Sequence, residues 1–494
     1  MEFLNAKQIK NITLISSESC NLNCSYCEIA KSSALFHNKI EAKKVKDSLF
    51  DGSYLSNIQK VLSKLDIDCN QILGFDLWGQ EPTLTLDGIN FMLPSFFTTF
   101  PHLEKAMFST NGVQYPERII EFIKTIESIC KEQKKNKKFE IRIQFSFDGY
   151  ENTKKNRGIE PEVILNNIKF IINELNKEQF NYIRIKFVFN NVIAKEEIKK
   201  LNSEEIVKKY WTDLFYITKE FIELNKNKNV EISKYFTAGL ETPINASADE
   251  GRMFYKFLLL SEKIYNDSNK DEKYAGYLRV LSRMAHSFDV IYVLQFENSE
   301  KFIEHLINYD YDPIFINQIS RSIFCNPNMS GLKIKYDGTL LHCHNVIHNM
   351  KKEDFINKTN WKYDNLKNLI NYNYYPNPLN DSKDKLENYF YKMRIIQSSS
   401  YAYTYSLIVQ LMTYLRDFNQ ISDIYKDNKI LLKHALMIMK ITSCLNNGFQ
   451  LLGTGAGSWI GIIRYYCNGA LLLAEREEEN IKKFNINRRF KNDK

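Results

Sequence analysis

The sequence predicts an α/β fold: a partial (β/α)6 TIM barrel followed by a C-terminal auxiliary domain of mixed hairpin and helical character. Three observations predict it. Short β-rich runs alternate with amphipathic stretches through the first half of the chain, the pattern of parallel βα units. Six such units occupy roughly 220 residues, which suits an open barrel better than a closed one of eight. From about residue 237 the alternation stops. The expected organisation is therefore a barrel over 1–236, a helical bridging segment over 237–320 and the auxiliary domain over 321–494.

Each element follows from local pattern. The first five strands are "ITLISSES" (12–19), "ILGFDLWG" (72–79), "KAMFSTNG" (105–112), "EIRIQFSFDG" (140–149) and "YIRIKFVFN" (182–190), with a weaker sixth, "VEISKYF" (230–236). Between them, 117–133 and 161–177 place apolar residues at three- and four-residue spacing, which predicts helices. Residues 252–267 are a further amphipathic helix. "FCNPNMSGLKIKYDGTLLHCHN" (324–345) reads as a β-hairpin, its Asp-Gly pair supplying the turn between alternating runs. Residues 350–395 read as loop, and 400–417 and 428–447 as helices.

Composition narrows the classes. With 494 residues, 44% hydrophobic and 26% charged, the chain is ordinary for a soluble protein of more than one domain. Its start, "MEFLNAKQIKNITLI", breaks any apolar run at once, so no signal segment is read and a cytoplasmic location is expected. The apolar tract 451–475 carries Arg464 and five glycines, and reads as a buried loop leading into a helix rather than a membrane span. Its "GTGAG" lacks the βαβ context of a dinucleotide loop. The net charge of +8 resides in lysine-rich stretches such as "KEQKKNKK" (131–138), which read as a solvated helix end. Neither a membrane nor a nucleic acid is expected as partner. Nine cysteines in a chain of this character argue against a disulfide framework.

Chemistry concentrates at "SCNLNCSYCEIA" (19–30), where Cys20, Cys24 and Cys27 follow the first strand. Iron–sulfur clusters are held by cysteine thiolates, ordinarily four. Three leave one iron open to a substrate or cofactor, much as catalytic zinc keeps a vacant position. A zinc knuckle is the alternative, but the nearest downstream histidine, His37, lies ten residues on. In a parallel α/β sheet the chemistry sits at the carboxyl ends of the strands. "GQEP", "STNG", "SFDG" and "FNN" end strands two to five, so all five strand ends converge on one rim.

"CNLNCSYC" after a first strand, with these motifs in order over the first 200 or so residues, resembles the radical S-adenosylmethionine (SAM) superfamily. The resemblance implies a [4Fe-4S] cluster on Cys20, Cys24 and Cys27 whose open iron chelates the amino and carboxylate groups of SAM. It implies reductive cleavage of SAM to a 5′-deoxyadenosyl radical that takes hydrogen from a substrate, with an electron donor such as flavodoxin or ferredoxin. Tyr26 occupies the aromatic position near the adenine. Gly79, Gln80, Glu81 and Pro82 match the motif that binds the SAM amino group, with Gln80 where the family usually has glycine. Ser109, Asn111, Ser146 and Asp148 fall where the family contacts ribose and methionine, and Asn190 and Asn191 where adenine is usually held. Arg157 resembles the arginine that peptide-modifying members use against the SAM carboxylate. Thr153 and Lys154 stand where those members often carry a His-Asp pair, and the arginine lies one residue closer to Asp148.

Cys325, Gly338 and Cys343 resemble the opening of the SPASM or twitch extension of the same superfamily. This implies one auxiliary iron–sulfur cluster, with Cys444 as third ligand and Cys467 as a candidate fourth. A zinc site drawing on Cys325, Cys343 and His342 or His344, or a metal-free hairpin, remain alternatives. Members of this architecture commonly modify a peptide or protein, as in ribosomal-peptide or sulfatase maturation. No winged-helix leader-binding module fits before residue 12, so a peptide would dock elsewhere, with 237–320 as a candidate surface. The alternatives are a radical SAM dehydrogenase acting on a sugar or nucleotide, and a non-enzymatic metal-dependent nucleic-acid-binding protein. The motifs name no residue that quenches or deprotonates the substrate.

Overall fold

The computed structural model describes residue 4 and residues 6–27, 39–240, 248–278, 331–341 and 376–390. Among these residues nine strands form one sheet: β1 Asn11–Ser17, β2 Gly74–Gly79, β3 Lys105–Thr110, β4 Phe139–Ser146, β5 Ile183–Ile193, β6 Val230–Ile232, β7 Thr237–Leu240, β8 Gly331–Ile334 and β9 Leu340–Leu341. The order is β6-β5-β4-β3-β2-β1-β8-β9, with β7 pairing β5 beyond β6. The first eight strands pair in parallel, and β9 alone runs antiparallel, to β8. A mixed α/β architecture on an open parallel sheet is therefore present, as expected of a partial barrel.

The helices are α1 Lys39–Phe50, α2 Ser53–Lys64, α3 Leu86–Thr99, α4 Pro116–Glu132, α5 Pro161–Asn176, α6 Glu204–Leu224 and α7 Ala248–Asp267. Both α4 and α5 open on a proline, whose fixed φ suits a first helical turn. Their buried stripes, such as Ile119, Phe122, Ile123 and Ile126 on α4, recur at the spacing read from the sequence. Against them the strands present alternate residues. Phe75 on β2 sits 5.0 Å from Phe96, 6.4 Å from Phe97 and 6.5 Å from Phe122, ring centre to ring centre. Phe145 meets Phe187 at 5.3 Å, and Phe189 stacks on Phe221 of α6 at 5.5 Å. Burying such a ring contributes about 1.5–3 kcal/mol, and the edge-to-face pairs add to it.

The expected helix beyond the sixth strand is α7. It rests on α6, where Trp211 stacks on Phe257 at 5.5 Å and donates to Ser261 Oγ at 2.8 Å. The expected hairpin is β8–β9, turning at Asp337-Gly338 with Gly338 at φ +85°, a conformation that only glycine adopts freely. Its first strand pairs with β1, so the hairpin extends the barrel sheet. Tyr54 of α2 donates to the Ile334 carbonyl at 2.8 Å and Asn57 to that of Tyr336 at 2.9 Å, fastening the hairpin to the barrel.

The stretch 131–138 is almost wholly exposed, in keeping with a solvated helix end. Among the described residues no helix is long and apolar enough to cross a membrane. Cys325, Cys343, Cys444 and Cys467, and the expected helices at 400–417 and 428–447, lie outside the described residues.

Candidate functional site

Three strand ends stitch the cysteine loop to the rim. From β2, the Gln80 amide donates to the Ser17 carbonyl at 3.0 Å and the Glu81 amide to that of Ser19 at 3.0 Å. The Gln80 side chain donates to the Glu18 carbonyl at 3.0 Å. From β3, Asn111 Nδ2 donates to Asn21 Oδ1 at 2.8 Å and lies 3.8 Å from Cys20 Sγ. From the turn after β4, the Asn156 carbonyl accepts from the Ser25 amide at 2.8 Å. Tyr26 donates to Asp148 Oδ2 at 2.6 Å. Of the five strand ends expected to converge, those of β2, β3 and β4 are thus hydrogen-bonded to the loop that follows β1.

Gly79 shows why β2 must end on glycine. Its φ is +133°, and a Cβ there would run into the Ser17 carbonyl. Close backbone approach between β1 and β2 is what brings "GQEP" alongside the cysteines.

Glu81 is buried, and its carboxylate organises the middle of the rim. One oxygen accepts from Thr83 N at 3.1 Å, Thr83 Oγ1 at 2.7 Å and Thr110 Oγ1 at 2.8 Å, while the other accepts from Asn111 N at 2.8 Å. Burial raises its pKa, and these four donors pull it back. Glu81 thus locks β2 to β3 in addition to any contact with a bound amine. Pro82 opens the helical turn that follows, and Arg118 clamps that turn by donating to the carbonyls of Thr83 at 3.1 Å and Leu84 at 2.9 Å.

A second buried charge group lies across the rim. Arg157 donates in a fork to Asp148, Nε to Oδ2 at 2.7 Å and Nη2 to Oδ1 at 3.0 Å. Asp148 also accepts from Val192 N at 3.0 Å, which fixes it to β5. The guanidinium faces the Tyr26 ring at 5.6 Å. Burial, and then the Asp148 charge, raise the Tyr26 pKa, so its phenol stays protonated and donating. The residue expected to meet a SAM carboxylate is therefore anchored by an aspartate through the Nε and Nη2 edge of its guanidinium.

Asn191 is fully buried; it accepts from Tyr210 of α6 at 2.7 Å and donates to the Phe147 carbonyl at 3.4 Å. Ser146 ends β4 opposite Asn190. Among the described residues, Ser109 Oγ, on β3, is buried with no hydrogen-bond partner, as is Gln80 Oε1.

The three cysteines are free thiols on one loop. Burial, and then Glu81, push the Cys20 thiol up to about 12. Burial pushes Cys24 up to about 11, against the pull of Arg157. Thiols so placed become thiolates only on binding a cationic centre, which deprotonates them outright. Among the described residues no three His, Cys, Asp or Glu side chains converge on a single metal-ion position. Three soft donors on one loop, with a polar rim around them, fit an iron–sulfur cluster.

Several site residues carried no signal in the sequence. Thr110 and Asn21 act through partners about 30 and 90 residues away, and Asn156 holds the loop by its backbone. Glu197 follows β5 in a short helical turn, Lys195–Ile198. It is buried, one oxygen accepts from Asn152, and the other has no partner among the described residues. Burial, and then the charge of Asp148, raise its pKa to about 8. Its place in the turn just beyond β5 offered no pattern to read.

No known protein-family profile matches the chain. Over 199 residues it is 26% identical to "Radical SAM cyclopropyl synthase TigE" of Paramaledivibacter caminithermalis, a match covering 40% of this chain and 38% of that protein. A crystal structure of Streptococcus suis SuiB bound to S-adenosylmethionine superposes on 70% of this chain and 61% of its own, at 13% identity and a TM-score of 0.35. Over those 199 residues, which span well under half of TigE, the chain is similar to a radical SAM enzyme, and the cysteine loop with the ordered strand ends bonded to it lies within the same barrel.

Proposed function

We propose that this chain is a radical SAM enzyme acting on a peptide or protein. One observation carries the reading: three successive strand ends hydrogen-bond to the loop bearing Cys20, Cys24 and Cys27. When bound, the [4Fe-4S] cluster and SAM supply the one-electron chemistry that yields a 5′-deoxyadenosyl radical. The chain's own residues bind and orient. Cys20, Cys24 and Cys27 hold the cluster. Glu81 and the Gln80 side chain face the amino end of SAM, Arg157 its carboxylate, and Tyr26 its adenine. Ser109, Asn111, Ser146 and Asn191 complete the shell, and Asp148 holds Arg157 and Tyr26 in place.

The finer parts rest on the sequence resemblance: a peptide or protein substrate, an electron donor of flavodoxin or ferredoxin type, and one auxiliary cluster on Cys325, Cys343 and Cys444. A cytoplasmic setting and the three-part division at 236 and 320 belong to the same proposal.

The test is anaerobic purification and reconstitution, followed by incubation with SAM and dithionite. The expected product is 5′-deoxyadenosine, lost in Cys24→Ala. Cluster and SAM bound with no cleavage would overturn the reading. Iron content separates one cluster from two, at about four or about eight irons per chain. Mass readout with candidate peptides and with sugars or nucleotides decides the substrate class.

A further inference from the structure

Parallel barrel strands are ordinarily apolar on both sides, and a closed barrel fills its interior with branched side chains. Here they alternate. On β4, Ile141, Ile143 and Phe145 are buried toward the helices, while Arg142, Gln144 and Ser146 on the other face are only partly buried. Register carries that inner face across the sheet as one row: Lys333, Thr13, Asp76, Met107, Arg142 and Lys186.

The charges in this row are matched, with one exception. Asp76 accepts from Asn11 at 2.6 Å and lies within electrostatic range of Lys105 and Lys333. Lys186 pairs with Glu231 at 2.5 Å. Arg142 has no ion pair among the described residues, and its Nε is buried with no hydrogen-bond partner. One step toward the rim on the neighbouring strand, Ser109 Oγ is also buried without a partner. Two orphaned donors therefore lie on the same face of adjacent strands, in a diagonal pair that a guanidinium can span. Leaving a charged donor buried and unsatisfied is costly, and a planar fork beside a hydroxyl matches a carboxylate.

We propose that the inner face of the sheet holds a carboxylate-binding subsite, with Arg142 as its principal donor and Ser109 as the second. Arg142 lies four residues before Ser146, or about 13 Å below the rim at strand rise. The Arg142 end of the subsite is therefore separate from the cofactor groups at the rim, while Ser109, one step nearer the rim, borders both, and the subsite engages a carboxylate of the substrate. That last step rests on the enzyme reading above; the anion site does not.

The test is calorimetric titration of the full chain with glutarate at fixed ionic strength, with glutaramide as the neutral control. Saturable glutarate binding is expected, weakened about tenfold or more in Arg142→Gln, the loss of one charge-assisted pair. Lys186→Gln should leave it unchanged. Thermal melting of Arg142→Met without ligand should match or exceed the parent, because an unpaired charge is removed; a lower melting temperature would make Arg142 a structural residue and overturn the proposal. Equal glutarate binding by Arg142→Gln would also overturn it, as would saturation by phosphate and not by glutarate. SAM binding, measured on the same samples, should be unchanged in Arg142→Gln. Its loss in that variant alone would place Arg142 in the cofactor site and overturn the subsite. Absence of SAM binding in the parent with glutarate binding intact would defeat the enzyme reading and leave the subsite standing.

Discussion

The outer face of the sheet packs Phe75, Phe108, Phe145 and Phe189 against helices, while the inner face of the same strands carries Asp76, Met107, Arg142 and Lys186. The outer residues are closed to solvent and interlocked, with Phe75 alone touching three other rings. The inner residues are partly open, and two of them, Asp76 and Lys186, are held by discrete polar contacts. The difference teaches that stability and chemistry are divided between two sides of one backbone. The helices supply the core, so the interior need not be filled and its side chains can be polar.

That division can be broken from the outer side first. Phe75→Ala should cost about 3–5 kcal/mol in chemical denaturation, since it opens a cavity among Phe96, Phe97 and Phe122. A cost under 1 kcal/mol would mean that the outer face is not the core. Next comes the rim, where the inner face does hold a buried charge pair. Asp148→Ala strands Arg157, whose side chain is 5% exposed, and should cost about 3 kcal/mol or more. Adding Arg157→Leu should recover part of that loss, and no recovery would count against the pair as the cause.

The third prediction concerns Glu197. Its folded pKa of about 8 lies above the ordinary 4.5, so between those values the folded protein keeps a proton that the unfolded chain has released. Stability from this group is therefore full below pH 4.5 and falls as pH rises toward 8, by at most about 1.4 kcal/mol per pH unit. Glu197→Gln should flatten that slope in denaturation series at pH 6, 7 and 8; an unchanged slope would place the titration elsewhere. The smallest effect belongs to Lys186→Met. Its partner Glu231 is 53% exposed, so the pair should contribute under about 1 kcal/mol. A larger loss would show that the inner row is structural after all, which sharpens the contrast with Phe75.

Much of this was legible in the chain. Strands one to five and the helices at 116–132 and 161–176 fall within a few residues of their expected bounds, because hydrophobic periodicity is local and strong there. Asp337-Gly338 announced its hairpin through a turn that needs a positive φ. What escaped was partnership. The expected sixth strand, 230–236, proved to be the short β6 with β7 immediately after it, both following the edge of β5. Glu81 read as a ligand for an amine and proved to be a clasp between β2 and β3 as well. Arg157 read as a partner for a cofactor carboxylate and proved to be paired with Asp148.

Spacing within a segment was enough to establish the βα alternation, the three-cysteine loop and the order of the strand-end motifs, since each depends only on neighbours in the chain. Which groups meet across the rim is a different matter. Tyr26 to Asp148, Asn111 to Asn21 and the hairpin's pairing with β1 join residues from tens to hundreds of positions apart. The same holds for what is left without a partner: Arg142 is an unremarkable strand residue in one dimension. Hydrogen bonding and charge matching are settled by distance in space, so only the folded chain shows that this guanidinium has no counter-charge among the described residues.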